Sequence, residues 1–337
     1  MYFYRMKSKD IRTNLAPEQY LMNNVNFDEP LVLFYIQKPC IIVGRNQNTL
    51  EEVNLDYVKE HNITVTRRIS GGGAVYDDLG NISFSFVVNS DNENFGDFKK
   101  LTAPIINALH DMGATTADIS GRNDLLVDGK KFSGNAMYTK NNKMFSHGTL
   151  AYNVDLDVLT KALNVPKDKI QSKGIKSVRS RVTNVKPYLN EKFQNLTTEE
   201  FRDRLILELF HTNDWSKIAD KEYKLTDTDK NAIQSLNDKY YFNWDWVYGK
   251  SPDYQVKNRK HFPMGTVDVR YNISSGKINN MEIFGDYFGE KDSIDIKEAL
   301  LGQEFKENAI NDTLSQFNLD HYFKGIPQSE LLKLFIP

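Results

Sequence analysis

A single cysteine in 337 residues, Cys40, excludes an intramolecular disulfide and any zinc site built on thiolates. That scarcity fits a reducing compartment. An excess of charge is also missing: 43 Lys and Arg against 45 Asp and Glu leave a net charge of -2. Such a balance gives no bulk attraction to nucleic acid or to an anionic membrane, so any attraction must come from a local basic patch. No apolar run approaches the ~20 residues that span a bilayer. The opening Met1-Tyr2-Phe3-Tyr4-Arg5-Met6 lacks both the basic stretch and the long apolar core of a secretory signal. The expectation is a soluble cytoplasmic protein with no nucleic-acid or membrane partner. There is no internal repeat.

What is present is globular in composition, 40% hydrophobic and 26% charged, in a chain long enough for a large domain and a small one. Strand signals dominate the first half: Leu31 to Gln37, Ile41 to Gly44, Ile63 to Arg68 and Ile82 to Val88. Asn54 caps a short helix over Leu55 to His61, and Asp97 opens a longer one that carries Leu101, Ile105, Ile106 and Leu109. Asp128-Gly129 and Asn141-Asn142 mark two hairpins, the second returning through His147 to Leu150. Helices follow at Leu156 to Leu163, at Glu199 to Phe210 behind the capping box of Thr197 and Glu200, and at Asp227 to Leu236. The pattern breaks at Gly249-Lys250-Ser251-Pro252. Beyond it, a hairpin around Ser274-Ser275-Gly276 and two short helices make a small unit. The fold class is α+β: a large mixed-sheet domain over residues 1–248 and a small C-terminal α+β domain over 253–337.

Four segments carry chemistry. Arg67-Arg68-Ile69-Ser70-Gly71-Gly72-Gly73-Ala74-Val75-Tyr76 places three glycines between strands. Glycines there let the backbone approach a ligand closely and form an anion-binding nest, and the paired arginines can fork onto phosphate or carboxylate oxygens. The plainer reading is a glycine-rich bulge with arginines on a solvated edge. Neither a Walker A loop nor a dinucleotide fingerprint is present. In Gly129-Lys130-Lys131-Phe132-Ser133-Gly134, strand alternation lets only one lysine face a cleft, unless both merely decorate a solvated turn. An inward lysine could neutralise an α-phosphate and a carboxylate together. His147, in Ser146-His147-Gly148-Thr149, is structural or orients a ligand. The stretch from Lys173 to Asn184 carries several cations and no acidic residue, as a mobile basic loop or as a flap that orders on an anionic nucleotide.

Together these segments resemble the lipoate–protein ligases. The resemblance rests on GRNQN (44–48), RRISGGGAVYDDLGN (67–81), GRNDLLV (121–127), KKFSGNA (130–136), HGTLAYN (147–153) and KGIKSVRSRVTN (173–184), in that order. It covers most of residues 20 to 210 and implies a catalytic fold related to that of biotin–protein ligases. It also implies a two-step reaction. ATP and lipoate give lipoyl-AMP and pyrophosphate, and a lysine of an acceptor domain then takes the lipoyl group. ATP and Mg²⁺ enter as co-substrate and metal, with no tightly bound prosthetic group. By the same resemblance Arg68, Gly73, Ala74, Val75, Tyr76, Lys131, Lys173, Arg179 and Arg181 contact ATP. Ser70, Gly71, Gly72, Gly73, Lys131, Tyr138 and His147 contact lipoate. Lys131 is the catalytic residue, and Asp124 the expected carboxylate contact to Mg²⁺ through the nucleotide. Tyr138 stands where some relatives carry arginine. The implied partners are lipoyl domains of 2-oxoacid dehydrogenases and the glycine-cleavage H protein.

Two rivals compete. An octanoyltransferase or lipoyl amidotransferase of the same fold that relays the acyl group through a thioester needs a nucleophilic cysteine. Only Cys40 is available, far in sequence from the matched loops, and a buried thiol is its expected state. A non-catalytic lipoate-binding protein would have no use for Lys131, Arg68 and the basic segment together.

Overall fold

The computed structural model describes residues 1–89, 97–121, 123–164, 181–248, 254 and 256–336. The strands are β1 (Tyr2–Arg5), β2 (Leu31–Tyr35), β3 (Cys40–Val43), β4 (Thr64–Arg67), β5 (Val75–Asp77), β6 (Asn81–Asn89) and β7 (Asp118–Ser120). They continue with β8 (Asp124–Val127), β9 (Lys130–Lys140), β10 (Lys143–Ala151), β11 (Val256–Phe262), β12 (Gly265–Ser274) and β13 (Lys277–Gly285). Seven of them form one mixed sheet in the order β1-β2-β6-β10-β9-β8-β7, parallel at β1/β2 and antiparallel elsewhere.

Alternation along β6 sorts this sheet into two unlike faces. Phe84 and Phe86 join Val32, Phe34 and Phe132 beneath helices Phe98–Asp111 and Thr198–Leu209, whose Ile105, Leu109, Phe201 and Leu205 complete the main core. The intervening residues Ser83 and Ser85 face the other way, as do their cross-strand neighbours Thr149 and His147. That second face is apolar only toward Leu31, Leu33, Val87 and Phe145, where α1 (Ile11–Asn24) covers it with Leu15, Leu21 and Met22. A three-stranded sheet, β4-β3-β5, lies over the polar remainder and carries the triple glycine between β4 and β5. The site is therefore a slot between two sheets.

The expected turns hold in detail. Asp128 and Gly129, Asn141 and Asn142, and Ser275 and Gly276 all have positive φ, as two-residue hairpin turns require. Asp97 caps its helix at the Lys100 N–H, and the Thr197–Glu200 capping box is formed in both directions. A second box, Thr226 with Asp229, opens Asp227–Leu236.

Two expectations fall short. The C-terminal region has three strands and three α-helices, Ile294–Leu300, Glu307–Leu314 and Gln328–Phe335, where two of each were expected. The extra strand, β11, reads Val-Lys-Asn-Arg-Lys-His-Phe. It is a largely exposed edge strand, so it shows no apolar alternation. The N-terminal pair β1 and α1 was not foreseen at all. The break at residues 249–252 lies outside the described residues. No helix among the described residues is long and apolar enough to cross a membrane.

Candidate active site

Arg68, Gly72, Gly73, Ala74, Val75, Lys131 and His147 line one cleft of about 100 Å³. Its floor is the polar face of the large sheet, with Tyr35, Ser83, Ala136 and Thr149, and Leu15 of α1 closes one end. Small residues at Gly134, Ala136 and Gly148 leave the floor shallow enough for a thin ligand.

The two arginines of the glycine segment have different fates, because neighbours on a strand point oppositely. Arg67, only 1% exposed, spends its guanidinium on the protein itself. Nη1 donates to the carbonyls of Gly44, Arg45 and Gln47 at 2.8, 3.0 and 2.6 Å. Nε and Nη2 reach the carbonyls of Trp246 and Val247, at 2.8 and 3.0 Å. A phosphate-forking pair is thus corrected to one structural arginine and one at the site. Arg68 faces the cleft, with Nη2 donating to the carbonyls of Gly71 and Gly73, both at 2.8 Å, and Nε to Ser70 Oγ at 3.1 Å. Burial pushes both arginines down to about 10, so each keeps its charge at neutral pH.

Two of the three glycines are demanded by packing as well as by ligand access. A Cβ at Gly71 would lie 2.6 Å from the carbonyl oxygen of Tyr287, and Gly72 has φ +91° with the Phe288 ring beside it. Residues just after β13 thus seat directly on the loop, fastened by the Gly285 N–H to the Asn46 carbonyl at 2.6 Å. Arg270 adds a bidentate bond to Glu51, both contacts 2.6 Å. Among the described residues the N–H groups of Gly72 and Gly73 donate to no backbone carbonyl.

Lys131 points into the cleft, and its Nζ lies 2.7 Å from Asp124 Oδ1. Lys130, at the outer end of β9, is exposed. Asp124 is therefore the counter-ion of Lys131. Among the described residues no cluster of three or more His, Cys, Asp or Glu is placed to hold a metal. The Lys131 carbonyl accepts from the Thr183 N–H at 2.8 Å, which ties the end of the basic segment to the lysine. Arg181 stands at that end, whereas Lys173 and Arg179 lie outside the described residues.

Ser70 is fully buried behind the loop, its Oγ 2.7 Å from His147 Nε2. His147 Nδ1 is 3.0 Å from both carboxylate oxygens of Glu18 on α1. Glu18 escaped the sequence reading, yet it had a signal. It sits on the stripe Ile11, Leu15, Glu18, Met22, the one carboxylate on a buried helical face. Asn123 and Asn135 were missed too. Each side-chain amide donates to the other's carbonyl, at 2.6 and 3.1 Å, next to the bulge between β8 and β9 at the cleft mouth.

Two residues expected at the site lie apart from this cleft. The ring of Tyr76 faces away from the cleft into the core of the small sheet with Ile41 and Val43, because Val75 takes the inward position. Tyr138 does not line the cleft. It packs on Phe145 at 5.6 Å with the Arg45 guanidinium 5.9 Å above its ring.

Comparison with known proteins agrees with this geometry. Residues 10–210 match the lipoyl protein ligase A/B catalytic domain, and residues 251–335 the bacterial lipoate protein ligase C-terminus. A lipoate–protein ligase of Bacillus subtilis is 46% identical over 96% of this chain and 96% of its own. The structure of P. falciparum LipL1 in complex with lipoate superposes with a TM-score of 0.75 at 28% identity, covering 94% of each chain. A lipoate-protein ligase A bound with ATP superposes at 0.60 and 27% identity, covering 74% of this chain and 98% of that one.

Proposed function

The chain belongs to the lipoyl protein ligase A/B family and is a ligase, and from that premise we propose that it uses ATP to attach lipoate to a lysine of an acceptor protein. The observation that carries this is the meeting of Lys131, Arg68, the glycine loop and His147 in one slot.

In the first step the lipoate carboxylate attacks the α-phosphate of ATP. A bond forms from a carboxylate oxygen to the α-phosphorus, the bond from that phosphorus to the bridging oxygen breaks as pyrophosphate leaves, and lipoyl-AMP remains bound. Both reacting groups are anions, so a cation must stand between them. Lys131 supplies that cation, exchanging Asp124 for the incoming anions. The N–H groups of Gly72 and Gly73 receive oxygen atoms, and the shallow floor takes the acyl tail with its end toward Leu15 and His147. Were Mg²⁺ to enter with the nucleotide it would offset the charge of the leaving pyrophosphate, and Asp124, beside Lys131, is the carboxylate that would contact it. By the family resemblance, Lys173, Arg179 and Arg181 of the basic segment supply positive charge to the adenylate. In the second step the acceptor lysine attacks the mixed anhydride, forming the amide and releasing AMP.

Lipoyl domains of 2-oxoacid dehydrogenases and the glycine-cleavage H protein are the proposed acceptors, in the cytoplasm. The same proposal divides the chain into residues 1–248 and 253–337. Separate apolar cores support the division: one cluster contains only residues from Val256 onward. The decisive experiment incubates a lipoyl domain with the protein, lipoate and MgATP and weighs the domain by mass spectrometry. A gain of one lipoyl group that requires ATP is the expected result, and no gain overturns the proposal.

A thioester relay would need Cys40. That thiol is wholly buried on β3, and burial pushes it well above its ordinary range, opposite to what a nucleophile needs. Cys40→Ser is expected to retain transfer within a few-fold per folded molecule, with a stability loss of about 1–2 kcal/mol for the buried hydroxyl. Loss of transfer in a folded variant, with an acyl thioester trapped on the wild type, would establish the amidotransferase instead.

A further inference from the structure

Four side chains join α1 to the glycine loop in one hydrogen-bonded line, and their chemistry assigns a direction to every proton in it. Glu18 as a carboxylate only accepts, so His147 must carry hydrogen on Nδ1 to make its two 3.0 Å contacts. At the other end Arg68 Nε only donates, and it reaches Ser70 Oγ at 3.1 Å. In the neutral ring Nε2 then carries no hydrogen and accepts, so the Ser70 hydroxyl, which can accept from Arg68 and donate at once, points its hydrogen to His147 Nε2, 2.7 Å away. Every donor then points from the guanidinium toward the carboxylate. Such chains strengthen cooperatively in a low-dielectric interior, and all four residues are buried.

We propose that Glu18 is a positioning residue for lipoate binding, which fixes His147 as the neutral Nδ1–H tautomer and through it Ser70, Arg68 and the glycine loop. The loop end of the line carries the consequence, since Arg68 Nη2 holds the carbonyls of both Gly71 and Gly73. Without an acceptor at position 18, a buried Nδ1–H would be left unpaired, and the ring would move its hydrogen to Nε2. His147 would then donate to Ser70, whose hydroxyl would be released from its place. The lost ordering falls on the cleft beside His147 and Gly72, not on the Lys131 end.

The assignment of this effect to lipoate rests on the ligase reading proposed above, whereas the tautomer does not depend on any substrate. Glu18→Met is nearly isosteric and offers no acceptor of comparable strength, and Glu18→Gln keeps an amide oxygen that can still accept. Imidazole ¹⁵N shifts of His147 are expected to report Nδ1–H in the wild type and in Glu18→Gln, and Nε2–H in Glu18→Met. In pyrophosphate exchange, Glu18→Met is expected to raise KM for lipoate on the order of tenfold, with KM for ATP within about twofold, and to add nothing in a His147→Ala background. An imidazolium or an Nε2–H ring in the wild type overturns the proposal. So does an unchanged lipoate KM in a Glu18→Met variant whose tautomer has moved. Correct tautomers with no lipoate-dependent exchange in any variant would instead count against the ligase reading. Melting of each variant near the wild-type temperature keeps the comparison clear of unfolding.

Discussion

Lys131→Ala is expected to slow lipoyl-AMP formation by about 10²–10³-fold, while Lys130→Ala stays near the wild-type rate. The lysine ammonium is the cation in the cleft that lies on the opposite side from Arg68 and is free to exchange its partner. It is neutralised by Asp124 at 2.7 Å, and with Lys131 at 39% side-chain exposure the pair lies in a wet mouth where such a bond is easily traded. When two anions enter, the ammonium can bridge them as charge builds on the phosphoryl oxygens. Alanine removes the bridge and also leaves Asp124 bare beside the phosphates, so repulsion adds to the loss. Arginine should rescue poorly, because its planar fork is larger than the point-like ammonium and Gly134 lies close beside Nζ. Both alanine variants should fold, since neither side chain contributes to an apolar cluster. Pyrophosphate exchange with lipoate, alongside circular dichroism, measures the effect. A Lys131→Ala enzyme near wild type, or a dead Lys130→Ala, would mean that the site has been assigned to the wrong lysine.

That only one of these neighbours could face a cleft followed from strand alternation after the Asp128-Gly129 turn, and the resemblance pointed to Lys131. Local signals of that kind carried most of the fold: capping residues, turn dipeptides and apolar alternation act over a few residues and leave a local trace. The glycine loop and His147 were legible as the motifs that resemble a known family.

What stayed hidden depends on contacts across the chain. Arg67 and Arg68 are adjacent and chemically identical, and which one serves the site is decided by carbonyls as distant as Trp246 and Val247. Glycine at position 71 reads as ligand access, yet the Tyr287 carbonyl also requires it. Glu18 acts only because α1 lies across β10, and no spacing relates it to His147. Tyr76 was within reach, since alternation from Val75 turns its ring away from the cleft. β11 was hidden for a different reason: a solvated edge strand is polar by design and resembles a loop.

Asp77→Asn is expected to stabilise the protein, by an amount that grows with pH. Asp77 is fully buried on β5, and burial pushes its carboxyl up to about 7, with Asp78 adding to the rise while hydrogen bonds from Gln37 and Ser83 and the charge of Arg68 oppose it. Gln37 Nε2 and Ser83 Oγ both donate to Asp77 Oδ2, at 2.5 and 3.2 Å. Gln37 Oε1 and Asp77 Oδ1 are both buried acceptors without a partner among the described residues. A proton on Oδ1 would serve both at once and make a neutral acid–amide pair. A raised folded-state pKa means that the folded protein binds this proton more tightly than the unfolded chain, where the carboxyl titrates near 4. Wild-type stability from this group is therefore complete below about pH 4 and is lost as pH rises toward 7. From that difference the penalty above pH 7 is at most about 4 kcal/mol. Asparagine is neutral at every pH, and its amide N–H can donate to Gln37 Oε1 while its oxygen keeps the bond from Gln37 Nε2. The variant should thus melt close to the wild type at pH 4 and several degrees above it at pH 8. Thermal unfolding of both proteins across that range decides the matter. Curves that stay parallel from pH 4 to pH 8 would show that Asp77 is ionised in the fold, with its charge balanced by Arg68.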